Sequence, residues 1–163
     1  MIITLTSGAG YGRTPLSAFD AALHDAGIYN YNLLILSSVI PTGAVVKKGI
    51  FETKESEHGH RLYVVRAEIR SRESGKCIGA ALGWYQLEDG RGVFVEHEEI
   101  GETPDAVKGN LAAEVRKSLI DLCRARKYPI IESRLQMKIK TAKVTDSAAC
   151  VLVVGVYKAE GWE

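Results

Sequence analysis

Two adjacent serines close an apolar run in this chain: Leu33-Leu34-Ile35-Leu36-Ser37-Ser38, followed by Val39-Ile40-Pro41. The hydroxyl of Ser38 lies one residue from the carbonyl of Ser37, so a strained turn can drive its attack and exchange the amide for an ester. Elimination of the ester releases the Ser37 carboxylate and leaves a dehydroalanine, whose hydrolysis leaves a pyruvoyl group at a new N-terminus. Serine pairs more often simply end strands or start turns. Here other chemical groups accompany the pair. Asp20 and Leu23 follow a Thr14-Pro15 opening, Asn32 stands six residues before Ser38, and Glu96 lies in Gly92-Val93-Phe94-Val95-Glu96-His97-Glu98.

The elements that must position these groups are legible from punctuation and periodicity. Residues 2–6 alternate as a strand, and Gly8-Ala9-Gly10-Tyr11-Gly12 reads as a flexible loop. It lacks the P-loop lysine and the dinucleotide spacing, so close backbone approach accounts for its glycines better than phosphate binding does. Thr14 caps and Pro15 opens a first helix over about 15–26, which Gly27 ends, with Leu16, Phe19, Leu23 and Ala26 as its buried stripe. Residues 29–38 read as a buried second strand ending at the serines. A short strand over 45–51 and a polar loop over 52–60 follow; His58 and His60 in that loop lack a third metal ligand and read as solvated.

Residues 61–72, 77–87 and 93–99 read as strands joined by turns at Glu73-Ser74-Gly75-Lys76 and Asp89-Gly90, an antiparallel arrangement. Thr103-Pro104 opens a second helix to about Arg126, with Val107, Leu111, Val115, Leu119 and Leu122 as its apolar stripe. Residues 130–144 form a strand whose basic row, Arg134, Lys138 and Lys140, reads as solvated. Residues 148–158 are apolar on both faces, as in a central strand. Two helices with about seven or eight mainly antiparallel strands predict an α+β layered fold, and the length predicts one domain, residues 1–163.

Composition narrows the class. With 21 basic against 20 acidic residues there is no bulk charge for nucleic acid or an anionic membrane. No apolar run approaches the roughly 20 residues of a membrane span. Cys77, Cys123 and Cys150 are odd in number and set in apolar surroundings, which suits reduced thiols. The first residues lack a secretory pattern, so a cytoplasmic location is expected. No lysine motif for pyridoxal phosphate and no metal-ligand spacing is present.

Thr14-Pro15-Leu16-Ser17-Ala18-Phe19-Asp20, Gly27, Asn32, the serine pair and the Gly92–Glu98 segment together resemble the pyruvoyl-dependent arginine decarboxylases, most densely over residues 8–43. The resemblance implies an αββα sandwich, self-cleaved into a β chain (1–37) and an α chain (38–163). It also implies a homotrimer, or a dimer of trimers, with active sites between neighbours. The cofactor it implies is a covalent pyruvoyl group derived from Ser38, with neither metal nor pyridoxal phosphate. That ketone condenses with the amine of an amino-acid substrate and accepts the electrons left by the departing carboxylate.

By the same resemblance Ser37 is the cleavage site, Asn32 assists processing, and Glu96 donates a proton to the product carbon. Asp20 pairs with the substrate guanidinium and Leu23 contacts its aliphatic stem. Phe94, Glu96 and Glu98 share a strand face, and neighbouring charge with burial would raise the pKa of Glu96. The implied reaction takes L-arginine to agmatine and carbon dioxide. Two departures stand out: Val39-Ile40-Pro41 replaces the two consecutive prolines frequent in the family, and Glu96-His97-Glu98-Glu99-Ile100-Gly101 is longer before its glycine, which makes Glu98 the second choice of acid. Competing readings are a non-cleaving structural or regulatory paralogue, a pyruvoyl enzyme for lysine or ornithine, and a serine hydrolase using Ser38, which would lack a Gly-x-Ser-x-Gly elbow.

Overall fold

The computed structural model describes residues 1–163. The chain runs β1 (Ile2–Gly12), α1 (Pro15–Asp25), β2 (Asn32–Ile35), β3 (Val39–Ile40), β4 (Val45–Lys48), β5 (Arg61–Ser71), β6 (Cys77–Gln86), β7 (Gly92–Gly101), α2 (Pro104–Ala125), β8 (Gln136–Lys143) and β9 (Ala148–Glu160). Five strands form one sheet in the order β2-β5-β9-β1-β4, and four form another in the order β3-β7-β6-β8. Three apolar clusters separate four layers. One holds α1 against the five-stranded sheet, one lies between the sheets, and one holds α2 against the four-stranded sheet. The layered α+β expectation therefore holds, with the αββα order. Most pairings are antiparallel, but β1–β4 and β2–β5 are parallel.

β1 departs from its expected length for a packing reason. The segment read as a glycine loop continues the strand to Gly12 and lies beneath α1. A Cβ on Gly10 would stand 2.3 Å from the Ala22 nitrogen, so the bare backbone is what lets the helix descend. The helix answers with Ala18, Ala22 and Ala26 on its buried side, together with Leu23. The expected stripe is thus rotated: Leu16 is 68% exposed and Phe19 only half-buried. Both ends of α1 match their signals, since Thr14 accepts from the Ser17 amide in a capping box and Gly27 follows the last turn at φ +76°.

β2 is also corrected. It is four residues long rather than ten, and it is an edge strand instead of a buried one, with Leu34 and Ile35 at 40% and 55% exposure. β8 begins at Gln136, because residues 132–134 turn in a short 3-10 helix. Of its expected solvated basic row, Arg134 is exposed in that turn, but the two lysines are not on the outside. Lys138 and Lys140 pair across from Leu82 and Ala80, which belong to the cluster between the sheets, so they share that inward face and are half-buried. Burial, then repulsion from Lys48 and Lys140, pushes the Lys138 pKa down. No helix is long and apolar enough to cross a membrane.

Candidate active site

The serine pair occupies the covalent crossover between the two sheets. β2 ends at Ile35 on the edge of one sheet, and β3 begins at Val39 on the edge of the other. The Leu36 amide still donates to the Val64 carbonyl at 2.8 Å in the first sheet. The Ser38 carbonyl already accepts from the Phe94 amide at 2.8 Å in the second. Ser37 alone spans the gap. Held from both sides, Ser38 adopts φ +68°, the left-handed region that a non-glycine residue rarely enters. Such a conformation costs about 1–3 kcal/mol and persists only where the surroundings over-determine it.

Glu96 reaches this turn through register. β7 lies beside β3, and Val39 faces Val93. Phe94 packs between the sheets and Glu96, two residues on, shares its face. The Ser38 hydroxyl donates a hydrogen bond to Glu96 Oε1, joining residues 58 apart in sequence. Tyr157 completes the surroundings: its ring meets Phe94 edge-on at a centroid distance of 6.3 Å and its hydroxyl donates to the Val39 carbonyl at 2.8 Å. Burial and the Glu96 charge both raise the Tyr157 pKa, so its hydroxyl remains a donor.

Glu98, the second choice of acid, has another task. β2 pairs with β5 only from Arg61 to Val64, and beyond that point the Glu98 carboxylate accepts from the Glu68 amide at 3.2 Å. It caps an open sheet edge, while Glu96 meets the serine.

Three expected partners stand elsewhere. Asn32 lies at the far end of β2, where its side-chain amide donates to the Gly59 carbonyl at 2.8 Å. The two-residue alternation that would align it with Ser38 stops at Ile35, because the chain leaves strand geometry there, so the Asn32 side chain does not point at the serine as expected. Asp20 is exposed on α1 and pairs with His24 at 3.5 Å. Leu23 is 8% exposed and packs into the core under α1 rather than facing a ligand. The five-stranded sheet separates that helix from the face carrying Glu96. None of the three surface clefts includes Ser38, Glu96 or Asp20. Within the chain Ser38 and Glu96 are together, and Asn32, Asp20 and Leu23 stand apart from them.

A left-handed serine, a carboxylate on its hydroxyl and a backbone amide on its carbonyl thus meet at one crossover between the sheets. Residues 2–160 match the family model for pyruvoyl-dependent arginine decarboxylase. The chain belongs to this family. A pyruvoyl-dependent arginine decarboxylase of Halobacterium salinarum is 30% identical over 151 residues, covering 93% of this chain and 91% of that protein. One from Thermoplasma volcanium is 35% identical over 120 residues, covering 72% of this chain and 65% of the relative, just under two thirds of its length. One from Methanothermobacter thermautotrophicus is 34% identical over 116 residues, covering 71% and 74%.

Tyr157 and the Phe94 amide escaped sequence reasoning. A tyrosine in an apolar strand reads as core, and a backbone donor leaves no compositional trace.

Proposed function

We propose that this chain is a proenzyme that cleaves itself between Ser37 and Ser38 and then decarboxylates L-arginine to agmatine and carbon dioxide. The observation that carries the reading is the Ser38 hydroxyl bonded to Glu96 at a left-handed crossover, in a member of this family. Glu96 takes the hydroxyl proton as Ser38 Oγ bonds to the Ser37 carbonyl carbon. As the Ser37–Ser38 C–N bond breaks, that proton passes to the freed nitrogen. Loss of the Ser38 Cα proton then expels Ser37 as a C-terminal carboxylate and leaves a dehydroalanine; its imine tautomer adds water and releases ammonia, which leaves the pyruvoyl ketone.

The residues present fit a pyruvoyl group at position 38. Its ketone supplies the electron sink for decarboxylation. The Ser38 carbonyl, which would be conjugated with such a ketone, accepts from the Phe94 amide, a donor that would face negative charge there. Glu96, on the same face, returns a proton to the product carbon.

Arginine selectivity requires an anion for the planar guanidinium, and Asp20 offers an exposed carboxylate whose present partner is His24. It lies across a sheet from Ser38 in its own protomer, which favours a site completed by a neighbour. Leu34, Ile35 and Val39 (54% exposed) expose an apolar strip beside the serines, suited to burial in a homotrimer. Asn32 and Leu23 would join such a site only if assembly or cleavage turned them from their present partners. Intact mass of the purified protein, followed by an amino-acid panel monitored for carbon dioxide, tests the reading. Two chains with decarboxylation of arginine support it. One unbroken chain indicates a non-cleaving paralogue, and preference for lysine or ornithine reassigns the substrate.

A further inference from the structure

We infer that Tyr157 is a positioning residue for self-cleavage, holding the chain just downstream of Ser38 in the conformation that attacks; the inference rests on the cleavage reading above. The first observation is a β-bulge. Across β5 and β9, Tyr63 faces Lys158 while Val64 faces Val156, which leaves Tyr157 as the extra residue without a partner. Bulges re-aim side chains and are enriched beside active sites. This one sits where β9 passes the crossover, and it directs the Tyr157 ring onto Phe94 and its hydroxyl onto the Val39 carbonyl.

The second observation is what the hydroxyl completes. A left-handed serine relaxes unless the chain on both sides is held. Leu36 is bonded to Val64 in the five-stranded sheet and Ser38 to Phe94 in the four-stranded sheet. Tyr157, from the five-stranded sheet, ties Val39 back across the gap. The Ser38 and Val39 carbonyls are therefore clamped from opposite layers, and the peptide between them cannot swing. With that peptide fixed, Oγ stays on its path to the Ser37 carbonyl carbon and on Glu96, which receives its proton.

The test uses freshly made full-length proenzyme and follows cleavage on denaturing gels across about pH 3 to 9, a span that includes the ordinary carboxylate range. Tyr157→Phe keeps the ring and removes one donor. The rate should fall about tenfold at every pH, the effect of one lost hydrogen bond expressed in the barrier. The pH midpoint should stay at its wild-type value, and the melting temperature should fall no further than in a control that loses a comparable hydrogen bond. Tyr63→Phe is the control: it removes a bond of similar length, 2.6 Å to Glu160, from the neighbouring strand and should cleave at the wild-type rate.

Wild-type cleavage by Tyr157→Phe overturns the inference. So does a shifted pH midpoint, which would make Tyr157 an electrostatic partner of Glu96 instead. Equal slowing in the Tyr63→Phe control would reduce the effect to general destabilisation and also overturn it. Should Tyr157→Phe not fold, 4-aminophenylalanine and 4-fluorophenylalanine at position 157 keep the ring with and without a para donor. The amino form must cleave faster than the fluoro form, and equal rates reject the clamp. A wild-type chain that never cleaves fails the underlying reading, a separate outcome from any of these.

Discussion

The sandwich has two open sides, and they solve the same problem differently. On one side β2 and β3 are joined by Leu36-Ser37-Ser38, so the two sheet edges are stitched covalently and the stitch is forced into φ +68°. On the other side β4 and β8 have no direct link, and Lys48, Lys138 and Lys140 approach one another, with the Lys48 ammonium 5.6 Å from the Trp84 ring centre. No carboxylate forms an ion pair with any of the three. Charged lysines on edge strands keep other strands from adding there. One side thus stores backbone strain next to a base, and the other stores charge repulsion next to nothing reactive. Under the proposed self-cleavage, the serine side differs because a hydroxyl, a carbonyl and a carboxylate share its strain.

The contrast is broken most completely by Ser38→Ala, which removes the nucleophile and leaves the clamp. It should remain a single 17.8 kDa chain by intact mass and release no carbon dioxide from arginine. Two chains from this variant would move the cleavage site away from the crossover. Glu96→Gln comes next: it keeps a hydrogen-bonding side chain but loses the base, and cleavage should slow by about 10²-fold or more, the scale of general-base assistance. A time course of the intact band measures it, and an unchanged rate places the proton acceptor elsewhere.

Ile35→Glu sharpens the comparison at the serine side by charging its exposed apolar strip. The protomer should fold with little change, since the side chain is 55% exposed, while association measured by sedimentation is lost. Retained assembly would locate the interface on another surface. On the lysine side, Lys138→Met should leave cleavage untouched and stabilise the fold by roughly 0.5–1 kcal/mol in denaturant titration, because it relieves burial of one of three like charges. Slower cleavage in this variant would show the two sides to be coupled.

The pH dependence of that last effect has a definite sign. Lys138 has its pKa lowered in the folded state, so folding disfavours its charged form. The penalty is complete below the folded value and is relieved as pH rises through it towards the ordinary lysine range. Wild-type stability should therefore gain a small alkaline increment that Lys138→Met lacks. Identical pH profiles for the two proteins would mean that Lys138 is not strained by its neighbours.

Much of this was legible in the chain itself. Helix ends at Thr14, Gly27 and Thr103 followed from capping chemistry, which is local, and the α2 stripe followed from its period as far as Leu119, after which Cys123 and not Leu122 is the buried residue. The serine pair and Glu96 were singled out by type and family pattern, and the structure brings them together. Asn32, Asp20 and Leu23 were singled out the same way, and within the chain it keeps them apart from the serine.

What the sequence by itself determined is the set of reactive groups and the elements that carry them, because residue chemistry and short-range periodicity are written in order along the chain. Only the tertiary structure decided that Ser38 is left-handed, that Glu96 rather than Glu98 receives its hydroxyl, and that a bulge turns Tyr157 onto Val39. Those outcomes depend on which sheet edges are stitched together and in what register. Register is a property of strands separated by dozens of residues, and it comes into existence only when they pair.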